Sequence, residues 1–132
     1  AHRREFAEHD RARARLSHLA DGDALWALPV FCLGEFLRVV THPAILKPPS
    51  TIEQAVGAIE AVLASASLRI LTPGDRYPAL LVDTVRAARV TGNLAFDAQI
   101  AALCREHGVH TIVSNDRDFE RFADLRREGL DN

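Results

Sequence analysis

The run 94–119, LAFDAQIAALCREHGVHTIVSNDRDF, constrains this chain more than any other stretch, because it sets a helix, a strand and three aspartates in one relation. Phe96, Ile100, Leu103 and His107 fall on one helical face, and Gly108 stands where a glycine stops a helix. Val109, Thr111 and Val113 then alternate with His110, Ile112 and Ser114, and their β-branched content predicts a strand. The ten helical steps from Asp97 to His107 cover about 15 Å, and the strand runs back by roughly 16 Å. Packed antiparallel, the two put Asp97 at the helix start and Asp116 just past the strand end on a single rim. That rim is the carboxyl edge of a sheet, where open α/β folds place their sites.

The rest of the chain supplies the frame. Residues 3–20 predict a charged helix, with His9, Ala12, Leu16 and Leu19 opposite Arg11, Arg13 and Arg15. After the Asp21, Gly22, Asp23 turn, residues 25–28 predict a short buried strand around Trp26. Pro29 then suits the first turn of a helix reaching about Val40. That helix is apolar almost all round, which predicts a place in the core. Inside it, Glu35 reads either as the partner of Arg38 at i, i+3 or as an acid aimed at the rim of Asp97, and Gly34 beside it would admit a close approach.

A proline-rich loop follows at 41–49. Ser50 and Glu53 have capping-box spacing for a helix with Ile52, Val56, Ile59 and Leu63 inward. Residues 68–71 predict a strand, 72–75 a turn, and 77–90 a helix with Leu80, Leu81, Thr84, Ala87 and Ala88 inward. Gly92 is expected as its stop and Asn93 as the N-cap of the next helix. After Asp116, Asp118 is a natural cap for a short helix, and LRREGL predicts a last edge strand. Strands alternating with helices over 132 residues predict one parallel α/β domain spanning 1–132.

Composition removes several function classes. A hydrophobic content of 48% suffices for a core. The net charge of −2 argues against a surface that is wholly a nucleic-acid glove, though a local basic patch on an RNA-binding protein is compatible with it. Fifteen of the sixteen basic residues are arginine, which suits phosphate geometry but equally reflects base composition. Cys32 and Cys104 have no metal-ligand or disulfide spacing, which fits a reducing cytoplasm. No apolar run has the length of a membrane span and no signal peptide is visible.

Acids gathered on one rim repel each other and raise one another's pKa values unless a cation neutralises them. Hard oxygen ligands of this kind suit Mg²⁺ or Mn²⁺, and the matching chemistry is phosphodiester hydrolysis. Taken singly, Asp97 is as well explained by the positive end of a helix dipole as by a metal, Asp116 by a turn, and Asp118 better by a cap than by a ligand. A receiver-type phosphoacceptor would also gather aspartates at a rim, but the sole lysine, Lys47, lies in the proline-rich loop.

LPVFCLGEFLRVVTHP, GNLAFDAQIAALCREHGV and TIVSNDRDF, in this order and spacing, closely resemble the PIN-domain ribonucleases of bacterial VapC-type toxins. The family's helix-borne acid falls on Glu35, the aspartate of its D-A-x-I-A-A helix start on Asp97, and its T-x-D-x-D-F ending on Ser114, Asp116 and Asp118. The resemblance implies a three-layer α/β/α sandwich with a central, mostly parallel sheet. It also implies Mg²⁺- or Mn²⁺-dependent cleavage of RNA, catalytic and metal-binding roles for Glu35, Asp97 and Asp116 with Asp118 as companion, and support from Ser114 and Asn93. A homodimer and inhibition by a VapB-type antitoxin are implied with it. The family opens on a strand carrying a first catalytic aspartate. That strand is expected just before Ala1, so the chain reads as N-terminally incomplete. Without that acid, the alternative is a catalytically incomplete PIN-like module that binds RNA or antitoxin, or dimerises.

Overall fold

In the computed structural model, the described residues are 26–45, 47–114 and 116–129. The charged helix expected at 3–20, the turn after it and Leu25 lie outside them. The chain divides into two compact units, 1–70 and 71–132.

In the first unit, β1 (Trp26–Pro29) and β2 (Leu68–Leu71) form a two-stranded sheet, with the Trp26 N–H donating to the Ser67 carbonyl at 3.0 Å. Pro29 ends β1 instead of opening the helix. Its fixed φ and missing N–H are tolerated equally at a strand terminus, and helix α1 runs Phe31–Thr41 from an N-cap at Val30 that has no side-chain bond. Helix α2 (Ile52–Leu63) begins with a capping box one residue later than expected. Thr51 Oγ1 accepts from the Gln54 N–H at 3.1 Å, and Gln54 Oε1 accepts from the Thr51 N–H at 2.9 Å. Ser50 and Glu53 offer the same spacing, but Ser50 is engaged elsewhere, its N–H donating to the Val40 carbonyl at 2.7 Å.

The helices of this unit pack differently from the periodicity. Ile52, Val56 and Leu63 are exposed, Ile52 at 71%, and the buried residue of α2 is Ala55. Nearly every position from Ala55 to Leu63 is apolar or small, so two stripes compete, and the one containing Ala55 turns inward. Helix α1 buries only Val40, and Leu37 is 36% exposed. An apolar circumference therefore overstates its burial, since the described strands and α2 cover only part of it.

The second unit is built on α4 (Ala95–Glu106), seven of whose residues are buried, with Ile100 and Leu103 closed off completely. Helix α3 (Tyr77–Ala88) packs along it and contributes Thr84 to the core, whereas Ala87 is exposed. Helix α3 ends earlier than expected. Arg89 adopts the left-handed conformation at φ 55°, and the Val90 N–H returns to the Val85 carbonyl at 3.0 Å. Gly92 instead opens a 3-10 turn, Gly92–Leu94. Asn93 lies inside that turn, exposed, and α4 has Leu94 as N-cap with no side-chain bond, so Asn93 is not the cap. At the other end of α4, Gly108 has φ +69° and the Val109 N–H closes on the Cys104 carbonyl at 2.8 Å.

The strand after Gly108 is β3 (Thr111–Val113), shorter than 109–114, and the expected last strand is β4 (Arg126–Glu128). They pair in parallel, Thr111 with Arg126 and Val113 with Glu128. Phe119, Phe122 and Leu125, on the connection between them, are buried. A clamp fixes the start of α3. The Glu106 carboxylate accepts the backbone N–H groups of Gly74 and Arg76 at 2.7 and 3.0 Å, while the Arg76 side chain donates to the Glu106 carbonyl at 2.8 Å. Strands β1, β2 and β3 separated by pairs of helices, with β3 and β4 parallel, make this an α/β fold.

Candidate metal centre

The three aspartates reach their positions by local means. Asp97 is the third residue of α4, where the free N–H groups of a first turn favour an acid. Burial of Ala98, Ile100 and Ala101 behind it leaves Asp97 only 9% exposed. Asp116 and Asp118 flank the start of a 3-10 helix, Arg117–Arg121. Asp116, not Asp118, is its cap: Asp116 Oδ1 accepts the Asp118 N–H at 2.9 Å. The Asp116 N–H in turn donates to Ser114 Oγ at 3.0 Å. The capping duty expected of Asp118 thus passes to the residue two before it, because an Asx turn forms as soon as the strand ends.

One carboxylate oxygen from each of Asp97, Asp116 and Asp118 lies within 4.8 Å of the others. Among the described residues, no basic side chain pairs with any of the three. The Asp97 carboxyl is consequently pushed up to about 6, first by burial and then by the neighbouring charges of Asp116 and Asp118. A hard divalent cation matches what this set lacks: positive charge, oxygen ligands and room for water on the exposed side.

Glu35 belongs to the first unit, in the second turn of α1, and the three aspartates belong to the second. Its carboxylate is paired with Arg38, whose Nε lies 3.1 Å away. The i, i+3 ion pair anticipated from the sequence is therefore formed, and it holds the Arg38 guanidinium above its ordinary pKa.

Two further residues shape the acid-bearing segment without any sequence signal. Arg127 Nη1 donates to the Ser114 carbonyl at 2.9 Å, and Arg127 Nε meets Glu120 Oε1 at 3.0 Å. Only the register of β4 against β3 reveals them. A separate cavity of about 120 Å³ lies between α3, α4 and the end of the 3-10 helix. Its Arg105 is already held by Asp83, Thr84 and Asp124, so this is a structural junction.

A family model described as the PIN domain matches residues 2–125. The chain belongs to the PIN-domain family. It is similar to the VapC ribonuclease Mb2897 of Mycobacterium bovis, 36% identical over 132 residues that cover 99% of this chain and 89% of the relative. Ribonuclease VapC43 of Mycobacterium tuberculosis shows the same identity and coverage. Ribonuclease VapC48 of the same species is 35% identical over 119 residues, 89% of this chain and 81% of the relative. Among the described residues of this PIN-domain chain, no helix is long and apolar enough to cross a membrane.

Proposed function

We propose that this protein is a Mg²⁺- or Mn²⁺-dependent endoribonuclease, the toxin of a VapBC-type toxin–antitoxin pair. The observation that carries the reading is the set of three convergent carboxylates, one of them nearly buried, with no basic side chain among the described residues to balance them. Similarity over 81–89% of the length of proteins named VapC ribonucleases supports RNA as the substrate. Asp97, Asp116 and Asp118 hold the ion, and the family pattern gives Glu35 a catalytic role as well. A divalent cation bound there supplies the charge that lowers the pKa of a water and offsets the charge developing on the phosphate.

The protein's own residues do the positioning. Asp97 is held in the first turn of α4, nearly buried. Ser114 and Asp116 fix the turn that presents Asp118. On the same reading the chain is a cytoplasmic homodimer held inactive by a VapB-type antitoxin. The test is cleavage of a mixed RNA substrate by the purified protein with added Mn²⁺ or Mg²⁺. Chelation is expected to stop cleavage, and Asp97→Asn to reduce it at least a hundredfold. Undiminished cleavage by Asp97→Asn at equal purity would remove this site from the reaction.

A further inference from the structure

Ser114 is fastened at three points. Its N–H donates to the Glu128 carbonyl at 2.9 Å, its carbonyl accepts from Arg127 Nη1 at 2.9 Å, and its hydroxyl accepts the Asp116 N–H at 3.0 Å. The same Arg127 guanidinium uses its Nε on Glu120, in the 3-10 helix whose second residue is Asp118. The Arg127 side chain is 16% exposed, unusually low for an arginine on a three-residue strand. One planar group on β4 therefore holds both arms of the segment that carries two of the three acids.

We infer that Arg127 is a positioning residue of the metal centre, setting the separation of the Asp116 and Asp118 carboxylates through Ser114 and Glu120. The inference rests on the proposed reading of these aspartates as metal ligands. The physical ground is the fixed fork of the guanidinium, which can donate in two directions at once. An ammonium on a flexible stem serves one arm well, or both poorly. Groups that orient metal ligands in this indirect way change metal affinity by about 10–100-fold when removed. Arg126, the neighbour on the same strand, is exposed, and among the described residues no hydrogen bond or ion pair joins its side chain to either arm.

The experiment is a titration of the RNA-free protein with Mn²⁺, with free Mn²⁺ read by electron paramagnetic resonance and folding followed by circular dichroism. Arg127→Ala is expected to weaken Mn²⁺ binding by about 10–100-fold at temperatures where the variant is folded. Arg127→Lys is expected to fall between Arg127→Ala and the parent, and Arg126→Ala to match the parent. A folded Arg127→Ala protein that binds Mn²⁺ as the parent does, with only a lower melting temperature, would show that the residue merely stabilises and would overturn the inference. Should Arg127→Ala not fold, Glu120→Gln loosens one arm alone. Several-fold weaker Mn²⁺ binding in that variant supports the inference, and parent-like binding overturns it. A parent protein that takes up no Mn²⁺ overturns the metal reading and this inference together, whereas parent binding with unaffected variants overturns the inference alone.

Discussion

Asp97 is expected to oppose the stability of the metal-free protein it serves. Its carboxyl is raised from 3.8 to about 6 by burial and by Asp116 and Asp118. Below about pH 4 it is protonated in both folded and unfolded chains and contributes no penalty. Between about pH 4 and 6 the unfolded chain ionises Asp97 while the folded state keeps it protonated, so stability falls across that window and stays at its lowered level above pH 6. Two pKa units at about 1.4 kcal/mol each set an upper figure of about 3 kcal/mol. Both neighbouring aspartates are exposed and screened, so about 1–3 kcal/mol is the working range. Asp97→Asn removes the charge and keeps the shape. In chelator at pH 8 it should melt roughly 4–12 °C above the parent, and the gain should vanish near pH 4. Added Mn²⁺ should raise the melting temperature of the parent and leave the variant unmoved. A gain of the same size at pH 4 and pH 8, or none at either, would refute the electrostatic account.

Further outcomes follow from the packing. Glu106→Ala deprives the Gly74 and Arg76 N–H groups of a charged acceptor and should cost about 1.5–3 kcal/mol in urea unfolding, with RNA cleavage unchanged at temperatures where the variant is folded. Gly74→Ala should destabilise as well, because its Cβ would lie 2.8 Å from Glu106 Oε2, an atom tethered by the clamp. A variant as stable as the parent would show that the clamp yields. Thr51→Ala should cost about 1 kcal/mol and Ser50→Ala close to nothing, which separates the observed capping box from the one suggested by spacing.

The site was more legible in the sequence than the packing around it. Asp97 and Asp116 could be placed together because a regular helix and a regular strand have fixed rise per residue, and the distances between their ends follow from counting. Gly108 could be assigned because a left-handed helix end favours glycine. Arg89 takes the same conformation without being glycine, so nothing in its identity marked the end of α3. On α2, periodicity selected Ile52, Val56 and Leu63, and the structure turned Ala55 inward. Hydrophobicity ranks side chains by size, while close helix packing also rewards smallness. The exchange of capping roles between Asp116 and Asp118, and the grip of Arg127 on Ser114, depend on atomic directions that letters do not carry.

The parallel pairing of β3 with β4 has a consequence for how this protein can vary. Parallel neighbours need a crossover of a dozen or more residues, and here twelve separate Val113 from Arg126. The crossover is the segment that carries Asp116 and Asp118. It has no slack, so a deletion there would unzip the strands before it could reshape the acids. An insertion would keep the strands paired but set the carboxylates adrift. Divergence in this segment is thus confined to substitution, and length variation among its relatives is expected to gather elsewhere, in connections such as the proline-rich loop after α1.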